Sequence, residues 1–140
     1  MNAESIAVLN RLLHVLCRSL PMYLEDARPW SRPEHQAAQK ALDLLVADRR
    51  DDAQRVAEAV VELDGHPDPG VFPMEFSAMN DLSLEFLLQK VIEGQHRDIA
   101  AIRQCAAELA DDPPLRALAE EILGNAKGHA EILEQLMNAE

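Results

Sequence analysis

The chain of 140 residues carries 25 Asp+Glu against 13 Lys+Arg, a formal net charge of −12, and 48% of its residues are hydrophobic. This length and apolar content suit one domain with one core, and the acidic charge excludes nucleic acid and anionic membrane surfaces as partners. No apolar run approaches the ~18 residues of a membrane span, and the first residues lack a signal-peptide pattern. Because Cys17 and Cys105 also lack metal-ligand spacing, we expect a cytoplasmic protein with two reduced thiols.

Helix-forming segments fill most of the chain and are separated by three clusters of proline and glycine, ARPWSRPEH, GHPDPGVFP and DDPP. This pattern predicts a single domain, 1–140, with four helices at about 3–26, 34–64, 80–110 and 113–138. Asp112 is expected to cap the fourth helix and Pro113 to be its first residue. Asn80 or Asp81 is expected to cap the third helix in the same way.

The lengths of the connections predict the topology. Helices 1 and 2 are joined by a short loop, as are helices 3 and 4, and short loops make antiparallel neighbours. The crossover, residues 65–79, is about 15 residues long, which at ~3.3 Å per residue is enough to run along a helix of this length. The sequence therefore predicts an all-α up-down four-helix bundle of two antiparallel hairpins joined by one long crossover, the ferritin-like arrangement.

The core-facing positions of a bundle helix are apolar and spaced three and four residues apart. Helix 1 keeps this pattern throughout, but the other three helices carry polar residues near the middle. We call these five residues the polar layer: Arg49, Asp52, Gln95, Asn125 and His129. Burying such groups without partners costs roughly 1–3 kcal/mol each, so we expect them to satisfy one another. The pairs we predict are Arg49 with a carboxylate, and Asp52 with His129.

Two segments resemble the ferritin-like superfamily, specifically its bacterioferritin and rubrerythrin-type members. AQRVAEAVVELDGHP is similar to the end of the family's second helix, and LAEEILGNAKGHAEILEQL is similar to its fourth. Family members with a di-iron centre use one Glu from helix 1, an E-x-x-H from helix 2, one Glu from helix 3 and an E-x-x-H from helix 4. Residues three apart share a helix face, so each Glu and His reach the same ion.

Position by position, this chain keeps little of that ligand set. The resemblance places Arg49 on the glutamate and Asp52 on the histidine of helix 2, and Ala126 and His129 on the corresponding positions of helix 4. The position on helix 1 falls near Leu16. On helix 3, counting back from His129 gives Glu93, whereas the apolar pattern gives Gln95. These two residues lie about 200° apart around the helix, and the phase of the apolar positions favours Gln95.

The charges of these residues do not favour metal. Two divalent ions need several anionic ligands, whereas this centre offers few carboxylates and adds a guanidinium. We therefore expect a ferritin-like protein without an intact di-iron centre or other cofactor, acting as a non-catalytic structural or interaction protein. The alternative is a metal-binding protein or oxidase that holds iron, manganese or zinc in a reduced site. Its ligands would come from Asp52, Glu93, His96 and His129, where Glu93 and His96 form an E-x-x-H on helix 3.

A second apolar stripe on helix 1 bears on oligomeric state. Val8, Leu12 and Val15 lie beside the core-facing positions, and a helix with two apolar faces is buried on both. We predict a homodimer through helices 1 and 2 that covers this stripe, with an unidentified protein as a further partner. The alternative is that Val71, Phe72, Phe76 and Met79 of the crossover cover it.

Overall fold

The structure is a computed structural model that describes residues 2–26, 35–79 and 83–138. Its five helices are α1 (Asn2–Cys17), α2 (Leu20–Asp26), α3 (Gln36–Glu62), α4 (Leu84–Glu108) and α5 (Pro113–Asn138), and a 3₁₀ segment, Met74–Met79, ends the crossover. None of the helices in this part of the chain combines the length and apolar character that crossing a membrane requires. The molecule is an all-α bundle, as the sequence predicts.

The helix predicted over 3–26 is two helices with a break at Arg18 and Ser19. The cause is Pro21, which has no amide hydrogen for the carbonyl of Cys17 and whose ring clashes with that carbonyl. The Arg18 amide still donates to the His14 carbonyl at 2.9 Å, and the Tyr23 amide then donates to the Ser19 carbonyl at 3.2 Å. Pro21 thus ends α1 in the middle of the bundle.

The helix ends agree with the sequence for α5 and differ for α4. The Leu115 amide donates to Asp112 Oδ1 at 3.3 Å, and α5 begins at Pro113, so the predicted cap is confirmed. The predicted caps Asn80 and Asp81 of α4 lie outside the described residues. Ser83 is the cap: its backbone is extended and its hydroxyl accepts a hydrogen bond from the Phe86 amide at 3.4 Å. The helix therefore begins at Leu84, because Ser83 is the last capping residue before the apolar run.

The four long helices form two antiparallel hairpins. Both α1 and α5 pack against α3 and α4, so that α3 and α4 lie on one diagonal of the bundle. Side-chain pairs along α3 and α5 run in opposite directions: Asp48 with His129, Asp52 with Asn125 and Arg55 with Glu121. The crossover connects the two hairpins, which is the predicted topology.

The apolar core consists of two clusters. One includes Leu12, Leu16, Val56, Ile102 and Ile122. The other includes Leu20, Leu45, Leu87, Val91 and Leu133. Arg49 and Gln95 lie between the two along α3 and α4, at the same level of the bundle. These two polar residues therefore interrupt the apolar core between its two clusters, and both are buried.

The crossover is bound to one side of α1. Asn10 Oδ1 accepts from the Asp68 amide at 2.9 Å, and Asn10 Nδ2 donates to the His66 carbonyl at 3.2 Å. Gly70 of the crossover lies beside His14, one helical turn after Asn10 on α1. Its φ is 74°, and a Cβ built there would lie 2.1 Å from His14 Nδ1. Arg18 Nε donates to the Gly70 carbonyl at 2.9 Å. These contacts need a glycine at position 70, since only glycine has both the φ and the space.

The second apolar stripe of α1 is buried inside the single chain. Leu12 is 0% exposed and Val8 7% exposed, and both belong to the same cluster as residues of α3, α4 and α5. The crossover residues Phe72 and Phe76 pack in the other cluster, and Val71 is exposed. Packing within the chain therefore buries Val8 and Leu12, and the homodimer stays a prediction.

Candidate functional site: the centre of the bundle

Arg49 lies at the middle of α3, one turn after Leu45, and faces inward with the core residues of that helix. Only 3% of its surface is exposed. Its Nη2 donates to Gln95 Oε1 at 2.7 Å, and its Nη1 donates to the Val15 carbonyl at 3.1 Å. The same Nη1 forms an ion pair with Asp98 Oδ2 at 3.1 Å. One guanidinium thus joins α3 to α1 and to α4.

The contact with Val15 follows from the break in α1. The last four carbonyls of a helix have no intrahelical amide partner, and Val15 belongs to the last turn before Cys17. The C-terminal end of a helix also carries partial negative charge, which a nearby cation stabilises. Pro21 exposes this carbonyl to the core, and the Arg49 guanidinium supplies both a donor and a positive charge.

Gln95 connects the centre to α5. It is 1% exposed, its Oε1 accepts from Arg49, and its Nε2 donates to the Ala126 carbonyl at 3.0 Å. Glu93, by contrast, is exposed and pairs with Lys90 at 3.6 Å on the surface of α4. Of the two candidates for the inward position of helix 3, the structure places Gln95 inside.

Asp98 is a member of the centre that the sequence analysis missed. It lies one turn after Gln95 and is partly buried, with 21% of its side chain exposed. Burial raises the pKa of Asp98, and the charge and hydrogen bond of Arg49 oppose that rise, as do the charges of Arg97 and His14. The signal was present: a search for acids three or four residues from Gln95 on α4 finds Asp98.

Asp52 pairs with Asn125, not with His129 as predicted. Asn125 Nδ2 lies 3.4 Å and 3.2 Å from the two carboxylate oxygens of Asp52, and Arg55 Nη1 lies 3.9 Å from Oδ1. Burial raises the pKa of Asp52, and the Asn125 hydrogen bond partly offsets it. Asp52 is buried, and these partners belong to α5 and to the next turn of α3.

His129 pairs with Asp48, whose Oδ2 lies 2.6 Å from Nε2 of the imidazole. The antiparallel register of α3 and α5 explains the difference. Because Asp52 lies opposite Asn125, a residue one turn later on α5 meets a residue one turn earlier on α3. His129 is largely buried and Asp48 is exposed, so this pair lies at the edge of the α3–α5 contact.

The structure does not bring together the alternative metal ligands Asp52, Glu93, His96 and His129. His96 is exposed and pairs with Glu134, and Glu93 is exposed beside Lys90. Both therefore lie on the outside of α4, whereas Asp52 and His129 lie in the α3–α5 contact. Within the described ranges, no three His, Cys, Asp or Glu side chains form a group that could hold a metal ion.

The two cysteines offer no activated nucleophile. Both are free thiols; Cys105 is buried and Cys17 partly so. Burial raises the pKa of each thiol, although Arg11, whose Nη2 lies 3.8 Å from Cys105 Sγ, opposes the rise at Cys105. Because the thiolate is the reactive form, these surroundings favour unreactive thiols.

The residues at the centre do not fit a di-iron site. The resemblance assigns glutamates to the positions of Leu16, Arg49 and Ala126, all of them buried, and to the position of Glu93, which is exposed. The inward residue of α4 is Gln95, so that none of the four buried residues is a carboxylate and one is a cation. A guanidinium already bound to Asp98 repels divalent ions and occupies the nearest carboxylate. The centre is instead a hydrogen-bonded network around an internal positive charge.

Comparison with solved structures shows the fold. The chain is similar to a crystal structure described as ferritin-like, diiron-carboxylate proteins from Bacillus anthracis strain Ames. The TM-score is 0.80 at 19% sequence identity, and the match covers 97% of this chain and 96% of that one. No protein-family model and no curated protein matches the sequence. The chain therefore has a ferritin-like four-helix fold.

Proposed function

We propose that this protein is a ferritin-like bundle that works without a di-iron centre, as a non-catalytic structural or interaction protein. The observation that carries the proposal is the buried Arg49 guanidinium, held by Val15, Gln95 and Asp98 where the family resemblance places metal ligands. The Bacillus anthracis protein with the same fold is described as a diiron-carboxylate protein. Here the same architecture surrounds a side-chain cation.

Electrostatics supports this proposal over a reduced metal site. Asp98 is bound to Arg49, and Asp52 is bound to Asn125 of α5. Two ions of charge +2 placed among these groups would face a fixed positive charge and few anionic ligands. The alternative needs Glu93 or His96 beside Asp52 and His129, and both Glu93 and His96 are exposed on α4.

We further propose a cytoplasmic location and action through the protein surface. The acidic composition and the two free thiols support this location. A homodimer through α1 and α3 stays a prediction, to be checked by light scattering coupled to size exclusion. The buried state of Leu12 and Val8 means that such a dimer would need contacts other than the stripe.

The test is the metal content of the protein purified without chelator from cells supplied with iron, manganese and zinc. We expect each metal to be well below one equivalent per chain, and no oxidation of added Fe(II) above the buffer rate. A ferritin-like protein with a complete ligand set, taken through the same preparation, is the control. Stoichiometric metal or catalysed iron oxidation in this protein would overturn the proposal.

A further inference from the structure

The Arg49 guanidinium lies in a cradle of oxygen atoms. The Val15 carbonyl approaches from α1, and Gln95 Oε1 and Asp98 Oδ2 approach from α4, at 2.7–3.1 Å from the guanidinium nitrogens. One of these acceptors is charged, one is an amide and one is the carbonyl of a helix C-terminal turn. All three carry negative or partial negative charge, so together they favour a cation.

Contacts outside the guanidinium hold this cradle in place. Gln95 is fixed by its second hydrogen bond, to the Ala126 carbonyl on α5. Val15 is fixed by the end of α1, which Pro21 determines. Two apolar clusters lie along the helices on either side. The Val15 and Gln95 oxygens therefore do not depend on Arg49 alone for their positions, and Asp98, 21% exposed, lies at the edge of the cradle.

We propose that the centre of this bundle is a preformed binding site for a planar monovalent cation of the guanidinium class, which the chain fills with its own Arg49 side chain. This inference rests on the proposed function, because it explains how the fold keeps a stable centre without metal. A single carboxylate balances one positive charge. Divalent hard cations prefer six or more oxygen ligands with several carboxylates, which the cradle does not provide.

The experiment removes the side chain and supplies the cation from solution. R49A leaves the space of the guanidinium empty, whereas R49K keeps a cation there, because the lysine ammonium reaches about as far as the arginine Cζ. Thermal unfolding is followed by circular dichroism in guanidinium chloride at about 1–50 mM, far below denaturing concentrations, with sodium chloride at equal ionic strength as reference. For a dissociation constant of about 5 mM, the midpoint of R49A should rise by roughly 3–5 °C at 50 mM.

Three matched proteins are expected not to respond. The wild type already holds its own guanidinium, and R49K holds an ammonium in the same place. R55A removes a guanidinium from an exposed pair with Glu121, where the surrounding solvent leaves no binding site. The double variant R49A/D98N should lose the rise seen in R49A, because the charged oxygen is gone. Equal responses in R49A and R49K would overturn the inference.

The inference can still be tested if R49A folds poorly. A cation that binds only the folded state raises the folded fraction, so the helical signal of R49A at low temperature should increase with guanidinium and saturate. Absence of that increase would count against the site. Mn²⁺ and Zn²⁺ are titrated in parallel, and a larger stabilisation by either would overturn the assignment to a monovalent cation. Metal in the wild type would contradict the proposed function, whereas the R49A response decides this inference separately.

Discussion

At the residue scale, the buried guanidinium of Arg49 depends on the acceptors around it. Among these acceptors, Asp98 is the one whose replacement should lower the free energy of unfolding most. Asp98 provides the charge that balances the guanidinium, while Val15 and Gln95 provide neutral oxygens. Removing one member of a buried ion pair leaves the other charge without compensation. The loss is then far larger than the net contribution of the intact pair.

We expect D98A to lower the free energy of unfolding by about 3 kcal/mol, because it leaves the Arg49 charge buried without a carboxylate. E93A, on the same helix, removes a carboxylate from an exposed pair with Lys90 and should change stability by less than about 0.5 kcal/mol. Urea unfolding of both variants measures the difference. Similar losses in the two would show that Asp98 does not balance Arg49.

Burial raises the pKa of Asp52 as it does that of Asp98, but the carboxylate of Asp52 is held by the Asn125 amide and not by a buried guanidinium. A carboxyl whose pKa is raised in the folded state contributes stability below its unfolded pKa of about 3.9, and this contribution is lost as the pH rises through the folded value. At neutral pH the charged form of Asp52 therefore costs stability.

D52N keeps an oxygen for Asn125 and removes the charge. We expect it to stabilise the protein at pH 7 by about 1 kcal/mol, or ~3 °C in Tm, and the gain to fall as the pH is lowered through the folded pKa of Asp52. Thermal unfolding between pH 3.5 and 7.5 measures this, where D51N, at an exposed neighbouring position, is the control. A gain that does not depend on pH, or a loss at pH 7, would contradict the argument.

At the scale of elements, α1 organises both the centre and the crossover. Its C-terminal turn presents the Val15 carbonyl to Arg49, and its outer side binds the crossover through Asn10 and Arg18. Because α1 ends early, at Pro21, its Val15 carbonyl can accept a hydrogen bond from Arg49. Because position 70 is a glycine, the crossover can approach α1 closely enough for Arg18 to bind it.

G70A should lower the free energy of unfolding by about 2 kcal/mol or more, because alanine is strained at a φ of 74° and its Cβ would meet the His14 ring. G124A, in the interior of α5 with nothing within 4 Å of the new Cβ, should stabilise by up to about 1 kcal/mol. Chemical unfolding compares the two. H14A/G70A should recover only part of the loss, since the backbone strain remains; full recovery would assign the whole cost to the ring.

At the scale of the whole molecule, the stripe that predicted a dimer contributes Leu12 to the core of the single chain, where it is 0% exposed. Burial in the same chain makes its contribution to stability independent of protein concentration. Burial in a dimer would make it depend on concentration.

L12A should therefore lower the free energy of unfolding by about 2–5 kcal/mol, by the cost of a core cavity. The loss in Tm from the wild type to L12A should be the same across a hundredfold range of protein concentration, and L12A should not change the elution volume. E4A, at an exposed position of α1, provides the reference. A concentration-dependent Tm that L12A abolishes would place this stripe in an interface.

The sequence by itself determined which segments are helical, the order and topology of the helices, and which positions face inward. These follow from local chemistry: proline and glycine end helices, Asp112 caps α5, and the spacing of apolar residues sets the inward phase of Arg49, Gln95 and Asp52. It also predicted that Arg49 requires a carboxylate, because a buried charge does.

The choice of partners was decided only by the tertiary structure. Which carboxylate reaches Arg49, and whether Asp52 or Asp48 meets His129, depends on how far one helix is shifted along another. A shift of one turn exchanges every pair across a helix contact while leaving each helix pattern unchanged. The effect of Pro21 is likewise decided by packing. The end of α1 leaves the Val15 carbonyl without a helical partner, and this carbonyl binds Arg49 only because α3 packs beside α1.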